Sequence, residues 1–213
     1  MRRAILPLFS ALLLLAAIPV EPQANLDVFK GCPLPGTAKS KCGGTLNRLK
    51  NRYATPTAVN SAITLSTILA PGNDADRWST SDAAEMTGYV ASVEHGGFKE
   101  SCNCGRKDLQ DIHINVVADL SQIDDPTKYV IAEITPRMQR INPSWTFKWA
   151  KKLKGKRVRF TGWMLFDGMH SLESLNTKDE AHQRCGSLEV NEIWRATAWE
   201  IHPVTNIEVV NGP

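Results

Sequence analysis

The stretch Gly155-Lys156-Arg157-Val158-Arg159-Phe160-Thr161-Gly162-Trp163 decides the reading of this chain. From Arg157 to Phe166, Val158, Phe160, Gly162 and Met164 fall on one side and Arg157, Arg159, Thr161 and Trp163 on the other, which is the period of a half-buried strand. Gly155 closes the segment Ser144 to Leu153, where Trp145, Trp149 and Leu153 recur every four residues opposite Lys148, Lys151 and Lys152, as in an amphipathic helix. Upstream lie three more strand-like runs. Met86 to Val93 leads into His95-Gly96-Gly97. Ile112 to Asp119 sets Ile112, Ile114 and Val116 against Asp111, His113 and Asn115. Tyr129 to Thr135 is stopped by Pro136. Downstream, Trp194 to His202 forms a fifth run, stopped by Pro203, and Ile207 to Val210 extends it after a bend.

The order is strand, strand, strand, helix, strand, strand. Its carriers are Thr87-Gly88-Tyr89-Val90, Asp111-Ile112-His113-Ile114, Val130-Ile131-Ala132-Glu133, the Gly-Lys-x-Val-x-x-Thr-Gly phrase at 155–162 and Trp199-Glu200-Ile201-His202-Pro203-Val204. This arrangement resembles the oligonucleotide/oligosaccharide-binding (OB) fold and is similar to exported bacterial proteins of uncharacterised function. The resemblance implies a mainly β protein: a five-stranded OB-like Greek-key barrel with one helix between strands 3 and 4. It covers residues 85 to 210 and names no ligand by itself, because that fold hosts many functions.

Residues 25 to 80 read differently. They are rich in Thr, Asn, Pro and Ala and show no alternation, which predicts a small helical or irregular N-terminal segment. Thr45 is placed to cap one short helix through Leu46, Leu49 and Tyr53, and Thr55-Pro56 to open a second ended by Pro71-Gly72-Asn73-Asp74. Ahead of these, Arg2 and Arg3 precede the apolar run Ala4 to Val20, the n-region and h-region of a secretory signal. The expected division is therefore 1–24 signal peptide, 25–80 N-terminal extension and 81–213 barrel, with the mature protein periplasmic or secreted and not integral to the membrane.

The 213 residues are 42% hydrophobic and 22% charged, which excludes disordered and collagen-like chains. The net charge of +3 demands neither nucleic acid nor an anionic membrane. Cleavage after Ala24 removes two bases and one acid and leaves +2.

Cys32, Cys42, Cys102, Cys104 and Cys185 all follow the signal, in a compartment where disulfides persist. Five is odd, so one thiol is left over. Cys32 with Cys42 would brace the Pro- and Gly-containing loop between them, and one of the Cys102/Cys104 pair, taken as Cys104, would reach Cys185. The alternative is a zinc site from Cys102, Cys104, His182 and Cys185.

Between Glu133 and Asp167 nine Lys and Arg residues occur without an acid, interleaved with Trp145, Phe147, Trp149 and Trp163. Basic grooves with stacking rings hold single-stranded nucleic acid on such barrels, but Trp145 and Trp149 share the Leu153 face and equally read as core contacts. The expected ligand contacts are Lys99 and Arg106 in the loop after the first strand, Arg137 after the third, and Arg159 and Trp163 on the fourth. The ligand would be single-stranded nucleic acid, a saccharide or a protein. A second constellation, Asp111, His113, Glu133, Asp167, His170, Glu200 and His202, lies on or beside the strands. Within it His113, Glu133 and His202 suit zinc or another divalent ion and give the alternative reading of a metal-dependent hydrolase of esters or phosphodiesters. No Gly-x-Ser-x-Gly elbow or phosphate-binding loop is present. The sequence thus favours a binding module without a cofactor over an enzyme.

Overall fold

The computed structural model describes residues 25–177 and 192–210; the expected signal, His182 and Cys185 lie outside these. Five strands close a barrel: β3 (Ala83–His95), β4 (Ile112–Val117), β5 (Val130–Ile134), β6 (Arg157–Phe166) and β7 (Trp199–Val209). A two-stranded ribbon, β1 (Val28–Phe29) and β2 (Cys32–Pro33), precedes them. The barrel runs β3-β4-β5-β7-β6 and returns to β3, every pairing antiparallel except β5 with β7. This closed mixed barrel is compatible with the OB-like architecture expected from the sequence.

The interior follows from the alternation. Ile112, Ile114 and Val116 of β4, Val130, Ala132 and Ile134 of β5 and Val158, Phe160 and Met164 of β6 are all buried in one apolar cluster. Ile63, Leu65 and Ile68 of the N-terminal segment join it. Two glycines permit closure by absence of a side chain. A Cβ on Gly162 would stand 2.3 Å from the Pro203 carbonyl oxygen, and one on Gly88 would stand 2.7 Å from that of Val117. Pro203 does not stop the fifth strand. β7 begins at Trp199, later than the sequence suggests, and passes through Pro203 where the β6–β7 register shifts, so the missing N–H falls at an irregularity in the ladder.

The β5–β6 connection holds two short helices where one was expected, α3 (Pro136–Ile141) and α4 (Phe147–Ala150), the latter continued by a 3-10 turn through Leu153. Pro136 ends the strand and also opens α3 at its first turn, with Thr135 accepting from the Met138 N–H. Trp145 and Leu153 are buried, Trp149 stacks on Trp145 and Lys148, Lys151 and Lys152 are exposed, so the aromatics here are core contacts.

In the N-terminal segment Ser40, not Thr45, caps α1 (Lys41–Lys50), and the second helix, α2 (Leu65–Ile68), starts at a Thr64 capping box and not at Thr55-Pro56. The segment is fastened to the barrel's outside. Arg52 donates to the carbonyls of Thr80 and Met164, and Arg137 to those of Leu26 and Cys32 and to Asn51 Oδ1. A disulfide joins Cys32 to Cys104, correcting the expected Cys32–Cys42 brace and the pairing of Cys104 with Cys185: β2 is laid beside the loop after β3, and it is Cys104 that meets it. Cys42 is also disulfide-bonded, and among the described residues the buried Cys102 is a free thiol. Among the described residues no helix is long and apolar enough to cross a membrane.

Candidate functional site

Residues that alternate with the core on β4, β5 and β7 point outward, and here topology acts on chemistry. His113 lies opposite Glu133 across the β4–β5 ladder. The parallel β5–β7 pairing aligns Ile131 with Glu200 and Ala132 with Ile201, so the next step sets Glu133 beside His202. The sequence-selected trio therefore converges. His113 Nε2 donates to Glu133 Oε1 at 2.7 Å, and His202 Nδ1 lies 3.2 Å from both Glu133 Oε2 and Glu200 Oε1.

The outer face is not open along its length. Lys50 at the end of α1 pairs with Asp167 at 2.5 Å, and Arg195 pairs with Glu200 at 3.1 Å, all four buried. Asn103, in the 3-10 turn Ser101–Asn103, donates to Asp111 Oδ2 at 2.6 Å. Asp111, Glu133 and His202 are consequently 1%, 2% and 0% exposed, and only His113, at 22%, reaches solvent.

Burial and charge set the protonation. For His113, burial favours the neutral ring, but Glu133 at hydrogen-bond distance outweighs it and lifts the pKa to about 9, so the ring is an imidazolium at neutral pH. Burial lowers His202 too, yet Glu133 and Glu200 leave it raised. Burial opposes ionisation of Glu133, but His113, His202 and Lys50 hold it well below the usual carboxylate range. Asp111 moves up, through burial first and then repulsion from Glu133 and Glu100. Burial likewise raises the Cys102 thiol, with Asp111 and Glu100 adding to it.

Two cavities flank this polar layer. One, of about 370 Å³, is lined by Glu94, His113, Asn115, Pro126, Tyr129 and Trp194. Its rings are held in place: Tyr129 donates its hydroxyl proton to the Ile123 carbonyl at 2.6 Å, and the Trp194 indole N–H donates to Glu173 at 2.6 Å. The other, of about 430 Å³, lies against α1 and is lined in part by Lys50, Lys99, Glu100 and Cys102.

The expected ligand contacts are not gathered in one groove. Lys99 lines the cavity beside α1, whereas Trp163 lines a separate one, under the Arg52 guanidinium, with its N–H on the Ala54 carbonyl. Arg106 is engaged by Asp108 and the Lys30 carbonyl, and Arg159 by Glu85 and Glu208. Arg137 is 1% exposed with its guanidinium bonded to three oxygens of the N-terminal segment. Its reading as a ligand contact is corrected: it is a fastener. The proposed zinc set also loses Cys104, whose sulfur is in the disulfide. Lys50, Tyr129 and Trp194 are not among the candidates the sequence offers, whereas Asn103, a donor of the loop after the first strand, serves Asp111. Nothing local marks Lys50, since its partner Asp167 lies across the fold; in the sequence Tyr129 and Trp194 show only as the starts of strands.

Comparison of the chain with protein-family models, curated proteins and solved structures finds no match.

Proposed function

We propose that this chain is an exported saccharide-binding module on an OB-like barrel, taking its ligand in the cavity lined by Glu94, His113, Asn115, Tyr129 and Trp194. The composition of that cavity carries the reading. It lies against β4, and with Tyr129 beside β5 it falls on the second and third strands of the barrel, the face such folds use for ligands. Tyr and Trp rings offer flat apolar faces to the C–H surface of a sugar ring. A carboxylate, an amide and an imidazolium offer acceptors and donors to its hydroxyls. Among the described residues no Lys or Arg lines the cavity, and Glu94 would repel a phosphate, so nucleic acid is the poorer fit of the expected ligands. The signal-like N-terminus and the Cys32–Cys104 disulfide support export.

The hydrolase alternative lacks an accessible centre. Glu133 and His202 are buried, which leaves them little surface to offer a scissile bond of an ester or phosphodiester substrate. The test is calorimetric titration of the mature chain with neutral oligosaccharides and with oligothymidylate at low and high salt, repeated on Trp194→Ala. Saccharide binding that survives salt and is lost in the variant supports the reading. Binding of oligothymidylate alone, falling steeply with salt, refutes it.

A further inference from the structure

Asp111, Glu133 and His202 each offer one donor atom within 4.8 Å of the other two. An independent feature points to what these atoms are for. Asp111 Oδ1, Glu133 Oε2 and His202 Nε2 are all buried without a hydrogen-bond partner among the described residues; Glu133 Oε2 is close to His202 Nδ1 but outside hydrogen-bond geometry. Buried polar atoms are nearly always satisfied, and three orphans on three touching residues mark a place where something else supplies the partner.

The opposite atom of each residue is held. Asn103 donates to Asp111 Oδ2, His113 donates to Glu133 Oε1, and His202 Nδ1 lies against Glu200 Oε1. This is how metal-binding side chains are oriented: an outer partner fixes one end of each ligand and turns the other inward. A cation at Nε2 would take the place of the second ring proton, leaving the other on Nδ1 toward Glu200.

We propose that Asp111, Glu133 and His202 bind one divalent first-row transition ion, such as Zn²⁺ or Mn²⁺. Two carboxylates balance its charge, and one imidazole selects it over Mg²⁺ and Ca²⁺, which prefer all-oxygen sites. Because the three ligands come from β5, β7 and the residue just before β4, the ion ties neighbouring strands together and acts as a structural centre. Glu100 and Cys102, which line the cavity beside α1, form a second such group with Asp111, so the site adjoins that cavity. This inference stands apart from saccharide binding, which uses the other cavity.

The experiment takes the mature, disulfide-bonded chain, strips it with chelator and titrates Zn²⁺ and Mn²⁺ separately, following heat and thermal midpoint. One equivalent bound, with a raised midpoint, is expected. X-ray absorption on the zinc form should show oxygen and nitrogen neighbours at about 2.0–2.2 Å and no sulfur. Asp111→Asn, which keeps the residue's shape, should weaken binding at least tenfold. Since that variant could be destabilised, Asn103→Ala serves as a second, expected to weaken binding about 10–100-fold as loss of an outer partner does. No binding of either ion at millimolar concentration would overturn the proposal, leaving a water or shared proton between the residues. Sulfur at about 2.3 Å would overturn the ligand set in favour of Cys102.

Discussion

Replacing Lys50 by Met tests how the N-terminal segment is held over the barrel. Lys50 Nζ lies 2.5 Å from Asp167 Oδ2, and the two side chains are 9% and 1% exposed. An ion pair at the surface would contribute about 0–1 kcal/mol. Here Met keeps the stem and its packing but leaves a carboxylate inside the protein without its counter-charge, and breaking a buried pair from one side costs about 3–5 kcal/mol. Asp167 retains the Met169 N–H, which offsets part of that burden and places the expectation near the lower end, about 3 kcal/mol. For a chain of this size the thermal midpoint should fall by roughly 6–12 °C. Urea unfolding of residues 25–213, disulfides intact, measures the free-energy loss, and the Lys50→Met/Asp167→Leu double variant should recover most of it because the stranded charge is gone. A single-variant loss under about 1 kcal/mol would refute the reasoning, since the pair would then behave as a solvated one.

The same pair fixes a pH dependence. Burial opposes ionisation of Asp167, but Lys50, with His170 and Arg195, holds its pKa well below the ordinary value, so its contribution is present above about pH 4 and is lost as pH falls through the folded value. The stability gap between wild type and Lys50→Met should therefore narrow on acidification; a gap constant from pH 7 to pH 3 would contradict this assignment, with urea midpoints as the readout. Gly162→Ala should cost more than about 2 kcal/mol, because its Cβ meets the Pro203 carbonyl at 2.3 Å and the Val204 Cα at 3.0 Å, backbone that cannot swing aside; a folded variant of unchanged midpoint would be inconsistent with the strand register. Cys102, buried and with its thiol pKa raised, should resist alkylation until the protein is unfolded, while peptide mapping recovers a Cys32–Cys104 link. Rapid labelling of the native protein at Cys102 would count against the packing of the loop after β3.

How much of this could be read from the chain depends on the range of the interactions. The β4 alternation of Ile112, Ile114 and Val116 against His113 and Asn115 is local, and it predicts both the core and the outward polar face. The meeting of His113, Glu133 and His202 was also within reach, because the expected barrel order makes their strands neighbours. The role of Arg137 is not legible locally, because a charged residue just after a strand ordinarily faces water; its oxygens come from Leu26, Cys32 and Asn51, far away in sequence. The disulfide pairing failed for the same reason. The loop that Cys32 and Cys42 bracket points to a bridge between them, whereas docking of the N-terminal segment brings Cys104 to Cys32. Helix α3 is hidden in the sequence because Thr135-Pro136 ends a strand-like run, although the pair also has the chemistry of a helix start.

The most direct test of saccharide binding is the spectrum of the cavity itself. In two-dimensional NMR of residues 25–213, neutral oligosaccharides should shift the Trp194 indole and His113 ring resonances while leaving the indole of Trp163, in its separate cavity, unmoved. Shifts confined to Trp163 and Arg159, or no shift with any saccharide, would contradict the account.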